Sequence, residues 1–410
     1  MFYQAIPGRV TWAPNCHWGH AESVDLVHWT ERPIALTPQD FEVGCWSGSF
    51  VMDAEAPTIL YTRIVGDDWG QGRVAIARGD ATATDWATGA DDVVIDGPPA
   101  ELGVHEFRDP YVFRSDSHWT MIVAAGLNDG SGAALQYHST DLITWTYDGV
   151  LCSRPSSRED DVWTGALWEC PQLFPLGPRW VLIISVWDAD VLYYVAAAVG
   201  DYDGLTFVHH TWQRLTYGNS AYAMSSFTDK DGQRSVLSWL REEPQNNPDL
   251  HGRAGAHSLP AALQLTDDGV LSLSPHANFE SVLGEPVAGQ PTPNGTVYDI
   301  GPTGADIQLN TDGVRQLVIT DGPTVRALIL LDATHQMLTL KRRGFATETM
   351  PLPAPGTAST LEIVLDADLL EMFTTASYGA FRLEPAVEPA GAAVTVLGRD
   401  GLQAAVRTLP

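Results

Sequence analysis

Ser23-Val24-Asp25-Leu26-Val27-His28-Trp29 returns almost letter for letter as Ser139-Thr140-Asp141-Leu142-Ile143-Thr144-Trp145. Weaker echoes are Ala83-Thr84-Asp85-Trp86, Asp203-Gly204-Leu205-Thr206-Phe207 and Asp268-Gly269-Val270-Leu271. Their closing residues fall at 29, 86, 145, 207 and 271, a period of about sixty residues. An Asp-Leu or Asp-Gly turn closed by an aromatic side chain pins one strand of a hairpin against the next. Between the markers, residues 120–124, 180–186 and 192–199 are apolar and bounded by Gly, Pro, Asp or Ser, which predicts short β-strands. No stretch of comparable clarity carries a helical period. Five units of about four strands each predict an all-β, five-bladed β-propeller, in which ring closure protects the sheet edges. A chance recurrence of surface turns in another all-β fold is the alternative.

Phase within the repeat singles out two acidic motifs, His105-Glu106-Phe107-Arg108-Asp109-Pro110 and Trp168-Glu169-Cys170-Pro171. Asp109 lies 36 residues before Trp145, Glu169 lies 38 before Phe207, and Ser47 lies 39 before Trp86. A propeller gathers equivalent positions of its blades around one axis, so these three segments are expected to converge on an axial pocket. The equivalent first-blade segment would fall ahead of Met1. The first blade is therefore expected to be incomplete, with a third acidic member expected before Met1.

The chain has 410 residues, for which two domains are the natural prior. Its net charge of −28 argues against nucleic acid and anionic membrane surfaces as partners, and no apolar run is long enough to span a membrane. No signal peptide is visible, which favours a cytoplasmic over a secreted setting. With 14 Trp and 12 Tyr there is aromatic surface for both a packed interior and sugar stacking. Cys16, Cys45, Cys152 and Cys170 have no paired spacing, so no disulfide framework is expected. Cys16-His17 with His20 superficially resembles a metal site, but no second cluster completes a ligand set, so no metal is expected.

Organisation changes near residue 284. The expected division is a propeller over 1–285, a Pro/Gly-rich linker over 286–298 and a second domain over 299–410. Alternating strands are predicted at 315–320, 325–331, 337–341, 361–365, 369–373 and 393–397, with turns at Asp321-Gly322, Asp332-Ala333 and Asp366-Ala367-Asp368. Short strands at this spacing predict an antiparallel β-sandwich. Few candidate catalytic groups occur there, so a stabilising or ligand-holding module is expected.

A family resemblance rests on Phe2-Tyr3-Gln4, Asn15-Cys16-His17-Trp18-Gly19-His20-Ala21, Asp25-Leu26-Val27-His28-Trp29, Trp46-Ser47-Gly48-Ser49, Phe107-Arg108-Asp109-Pro110 and Trp168-Glu169-Cys170. In this order they resemble glycoside hydrolase family 32, the invertases, inulinases, levanases and related fructosyltransferases. Leu361-Glu362-Ile363-Val364-Leu365 and Leu369-Leu370-Glu371-Met372-Phe373 look like that family's C-terminal sandwich. The resemblance implies a retaining β-fructofuranosidase acting on sucrose or fructans such as inulin and levan, without a cofactor.

Retention uses two opposed carboxyl groups about 5–5.5 Å apart, one a nucleophile and one a general acid. By resemblance, Glu169 is the acid/base, and Asp109 holds fructose hydroxyls and steadies the transition state. Arg108 is expected to pair with carboxylates and to keep Asp109 ionised. Gln4, Trp12, Trp46 and Ser47 match positions that shape the fructosyl pocket, and Trp239 lies near the axial phase of the fifth blade. The plainer readings are a strand-end salt bridge for Arg108-Asp109, a satisfied buried acid for Glu169, and propeller core for Trp12 and Trp239. The family's nucleophile segment, of Asn-Asp-Pro-Asn-Gly type, has no counterpart after Tyr3-Gln4. Three explanations stay open: a nucleophile upstream of Met1, a fructan- or sucrose-binding homologue without catalysis, or else a substitute acid or a propeller that cuts pentose-based glycans as other five-bladed hydrolases do. Residues 216–223 keep the family's Tyr-Gly and Tyr-Ala but lack its acidic residues, a difference on the leaving-group side.

Overall fold

The computed structural model describes residues 1–54, 56–115, 117–158, 160–242, 252–353, 360–385, 391–398 and 404–410. It divides into two compact units, one of Met1–Arg214 with Ala223–Ser225, the other of Leu215–Tyr222 with Ser226–Pro410.

The first unit is a succession of antiparallel sheets. The first holds β1 (Phe2–Ala5), β2 (His17–Glu22) and β3 (Thr30–Leu36). The second runs β4 (Gly44–Asp53), β5 (Ala56–Ile64), β6 (Arg73–Gly79) and β7 (Trp86–Ala87), with β8 (Val93–Ile95) also on β6. The third is β9 (Val104–Ser115), β10 (His118–Leu127), β11 (Ser131–Ser139) and β12 (Thr146–Pro155). The fourth is β13 (Leu167–Leu176), β14 (Arg179–Asp188), β15 (Val191–Tyr202) and β16 (Phe207–Arg214).

The repeated heptapeptide is a repeated piece of hydrogen bonding. Asp25 Oδ1 accepts the backbone N–H groups of Val27 and His28, and Asp141 Oδ1 accepts those of Ile143 and Thr144. The Trp29 and Trp145 indoles donate back to the carbonyls of Leu26 and Leu142, both left-handed at φ 64° and 63°. Trp86 does the same to Ala83, and Asp203 caps Leu205 and Thr206. Short polar side chains that satisfy backbone donors two and three residues on are what make these turns legible locally. The turn precedes the fourth strand of the second, third and fourth sheets, and precedes β3 in the first. By that alignment β1–β3 correspond to the second to fourth strands of the other sheets.

Central strands lose the polar alternation of a one-sided sheet because each sheet is covered on both faces. Ile122, Val123, Ala124 and Ala125 in β10 are fully buried, as are Val181–Ile184 in β14. One core layer, with Trp18, Leu36, Cys45 and Ile59, joins the first two sheets. A second, with Leu60, Phe107, Met121 and Leu135, joins the second and third. A third, with Ile122, Leu151, Trp168 and Leu182, joins the third and fourth. Each wholly buried Leu, Ile or Val side chain contributes about 1.5–3 kcal/mol relative to exposure.

The second unit contains most of a further sheet of Ala221–Thr228, whose Ala223–Ser225 belong to the first unit, Arg234–Leu240, Ala261–Leu265 and Leu271–Pro275, with Ala256–His257 beside it. It also holds two larger sheets packed on one core that includes Ile307, Leu317, Ile329, Leu340, Ile363, Met372 and Val394. One has the order Thr216–Tyr217, Tyr378–Arg382, Leu369–Thr374, Thr360–Asp366, Gly304–Asn310, Ala405–Thr408. The other runs Gln290–Thr292, Gly295–Asp299, Ala392–Gly398, Val314–Asp321, Thr324–Asp332, Met337–Arg342, Glu348–Pro351. The stretch read as a linker thus carries the hairpin Gln290–Thr292/Gly295–Asp299 at the edge of this sheet. Among the described residues no helix is long and apolar enough to cross a membrane.

Candidate active site

Three inner strands are interrupted at the same phase by a bulge. In β4, Trp46 faces Thr62 and Gly48 faces Tyr61, which leaves Ser47 without an opposite residue. In β9, Arg108 faces Ala124 and Tyr111 faces Ile122, so Asp109-Pro110 oppose one residue. In β13, Glu169 faces Ser185 and Gln172 faces Ile183, so Cys170-Pro171 do the same. Proline cannot donate to a ladder and is tolerated at such places, and a bulge re-aims the side chains around it. Asp109 and Cys170 are left-handed, with φ 63° and 48°, an uncommon conformation for residues with a Cβ.

The bulges are tied to one another. Thr62 Oγ1 donates to Ser47 O at 2.9 Å and accepts Asp109 N–H at 2.7 Å. Asp109 Oδ2 in turn accepts Cys170 N–H at 2.9 Å. One hydrogen-bonded path therefore runs across the second, third and fourth sheets. Beside it, the Arg108 guanidinium reaches Glu169 Oε1 through Nε at 3.0 Å and Nη2 at 2.9 Å, and its Nη1 pairs with Glu106. The Trp187 ring lies 5.5 Å below the same guanidinium. Arg108 and Asp109 are buried, whereas Glu106 and Glu169 keep partial exposure.

Burial raises the Asp109 carboxyl above the ordinary aspartate range, and the Glu169 charge raises it further. Arg108 and the Cys170 N–H oppose this without reversing it. Arg108 by itself favours the ionised form of Asp109, but burial and the Glu169 charge outweigh it, and the guanidinium places its hydrogen bonds on Glu106 and Glu169. Burial works against the Arg108 cation, but Glu169, Asp109 and Glu106 outweigh it and hold Arg108 firmly charged. The Cys170 thiol is pushed up by burial and then by Asp109 and Glu169, so it is not a thiolate nucleophile at neutral pH.

Of the other residues singled out by sequence, Gln4 donates through Nε2 to Cys45 O at 3.1 Å, beside Trp46. The Trp46 indole donates to Pro14 O at 2.8 Å, and its ring meets Trp12 edge-on at 5.7 Å. Arg108, Asp109 and Glu169 are thus joined directly, and Gln4, Trp12, Trp46 and Ser47 form a connected group through β4. Trp239 belongs to the second unit, where its indole N–H donates to Ala254 O. Sequence reasoning did not assign roles to Glu106, Thr62, Trp187 or Trp69. Glu106 stood inside the quoted motif, two residues from Arg108 on one strand face, and that spacing was the available signal. The four cysteines are free, with Cys16 Sγ donating to Ala13 O. Among the described residues no cluster of His, Cys, Asp and Glu could hold a metal ion.

The chain belongs to glycosyl hydrolases family 32, whose N-terminal domain model matches residues 1–275. It is 32% identical over 288 residues to a sucrose-6-phosphate hydrolase of Zymomonas mobilis, covering 66% of this chain and 56% of that protein. A fructan 1-exohydrolase of Triticum urartu is 32% identical over 301 residues, covering 65% and 48%. The chain therefore spans about half the length of these relatives. A solved β-fructofuranosidase of Bombyx mori superposes over 100% of this chain and 88% of its own, with TM-score 0.86 and 23% identity. That likeness is one of fold, and the class is the one read from the repeat, a five-bladed β-propeller followed by a β-sandwich.

Proposed function

We propose that the chain carries the site of a retaining β-fructofuranosidase that releases terminal fructose from sucrose or fructans. The observation that carries this is the Arg108-bridged pair of motifs, with Asp109 and Glu169 joined across two sheets. Glu169 is the acid/base. It gives its proton to the glycosidic oxygen as the bond to the fructosyl carbon breaks, and it later takes a proton from the water that releases fructose. Asp109 meets the fructose hydroxyls and the positive charge that develops on the ring. Arg108 fixes Glu169 in place, a geometry that supports proton transfer at one defined position. Gln4, Trp46 and Ser47 shape the fructosyl pocket and Trp12 extends it; a retaining displacement also requires a nucleophilic carboxylate opposite Glu169.

The test is fructose release from sucrose, inulin and levan by the folded chain, with fructose affinity measured alongside. Release that disappears in Glu169→Gln supports the reading. Sugar binding without release assigns the chain to fructan or sucrose recognition. Neither binding nor release would overturn it.

A further inference from the structure

We infer that Thr62 is a positioning residue of the site: its hydroxyl holds the Asp109 carboxylate where fructose is met. The inference rests on the reading of Asp109 as the group that meets fructose hydroxyls. Thr62 lies on β5, opposite Trp46 of β4 and Val74 of β6. Alternate residues of a strand share a face, and Leu60, Thr62 and Ile64 on this face are all at 1% exposure or less. Valine, which has the same shape, would meet the packing there. A hydroxyl in such a place costs free energy unless it is paired. Thr62 gives its hydrogen to Ser47 O at 2.9 Å and accepts Asp109 N–H at 2.7 Å, so its pairing joins two of the site bulges.

What this fixes is a backbone conformation that the local sequence does not favour. Asp109 is left-handed at φ 63°, uncommon for a residue with a Cβ, and a following proline pushes the residue before it toward extended backbone. In a regular strand Arg108 and Asp109 would point to opposite faces of the sheet. Here both reach the same segment of β13: Arg108 pairs with Glu169, and Asp109 Oδ2 accepts Cys170 N–H at 2.9 Å. The bulge turns the carboxylate to the Glu169 side, and the Thr62 hydroxyl meets the bulge at the turned residue.

The hydroxyl itself has one direction. Threonine is stiff at χ1, and a Cβ on Gly72 would come within 2.5 Å of Thr62 Cγ2, so the methyl group is closely packed on that side. Further along β9, Val112 N–H donates to Ser49 Oγ at 3.0 Å, a second tie between the same two sheets. Loss of the Thr62 hydroxyl therefore frees the bulge without separating the sheets.

Calorimetric titration of the whole chain with fructose, with melting curves alongside, tests this. Thr62→Val keeps the shape and removes the hydroxyl; fructose affinity is expected to fall on the order of tenfold in a folded chain. Thr62→Ser keeps the hydroxyl and is expected to stay within about twofold of the parent. Thr62→Ala is a second hydroxyl-free variant should the valine chain not fold. With Asp109→Ala already in place, Thr62→Val is expected to change affinity by less than about twofold. A further loss of about tenfold in that background would make the hydroxyl a general support of the sheets and overturn the inference. A serine variant weakened while the valine variant is spared would do the same, since it would leave only packing. Parent affinity in folded Thr62→Val overturns the positioning role and leaves the reading of Asp109 intact. No fructose binding by the parent overturns both.

Discussion

Replacing Arg108 by methionine keeps most of the buried volume and removes the cation that faces Glu169, Glu106 and Asp109. Taking away one partner of a buried ion pair costs about 3–5 kcal/mol, because the remaining charge stays desolvated. Glu169 and Glu106 keep 16% and 18% side-chain exposure, so water relieves part of that and the low end, about 3 kcal/mol, applies. At about 2–4 °C per kcal/mol for a unit of this size, the first unit should melt roughly 6–12 °C lower at neutral pH. The loss has a pH signature. Without Arg108 the buried Asp109 carboxyl loses the cation that opposes its upward shift, and its folded-state pKa rises further. Acidification from pH 7 toward 5 then protonates the folded variant more readily than its unfolded chain, and the deficit narrows. Arg108→Lys restores charge without the fork and should recover only part of the loss. Scanning calorimetry at pH 5, 6 and 7 checks this. A methionine variant that melts within about 1 °C of the parent at every pH would refute the idea that the bridge holds the site together.

Glu169→Gln should lower fructose release by about 100-fold or more while sparing fructose affinity, because general acid–base catalysis contributes on that scale; comparable turnover in parent and variant would remove Glu169 from the role. Gly72→Ala would put a Cβ 2.5 Å from Thr62 Cγ2 and 2.7 Å from Phe107 O. It should destabilise by about 1–3 kcal/mol through overpacking, read as a lower denaturant midpoint with unchanged slope. Glu371, buried and hydrogen-bonded to Tyr378 and Leu259 N–H, is pushed by burial from 4.5 to about 7. The folded chain binds this proton more tightly than the unfolded one, so the second unit should lose up to roughly 3 kcal/mol as pH rises from 4.5 to 7. Glu371→Gln should flatten that slope in a pH series of melting curves, and an unchanged slope would assign it elsewhere.

The turns were legible because their chemistry is local: Asp25 and Asp141 cap donors two and three residues away, and a repeat of such caps carries the sheet spacing with it. The sandwich strands at Val314–Asp321, Thr324–Asp332 and Met337–Arg342 were legible for the same reason, as apolar alternation between Asp-containing turns. What sequence could not show lies in contacts between sheets. Thr62 meets Asp109 across 47 positions and Glu169 meets Arg108 across 61, separations at which nothing in either segment announces its partner. The raised Asp109 carboxyl escaped for a related reason, since burial is a property of the packed sheets and the neighbouring Arg108 suggested the opposite sign. The hairpin at Gln290–Thr292 escaped because an exposed edge strand tolerates the Pro and Gly content that also marks a connector.

The most direct test of the account is a crystal structure of the chain grown with saturating fructose. The account predicts one fructose with hydroxyls within about 3 Å of the Asp109 carboxylate and its anomeric oxygen directed at Glu169. Fructose bound away from these two acids, or absent from the site at saturation, would contradict it.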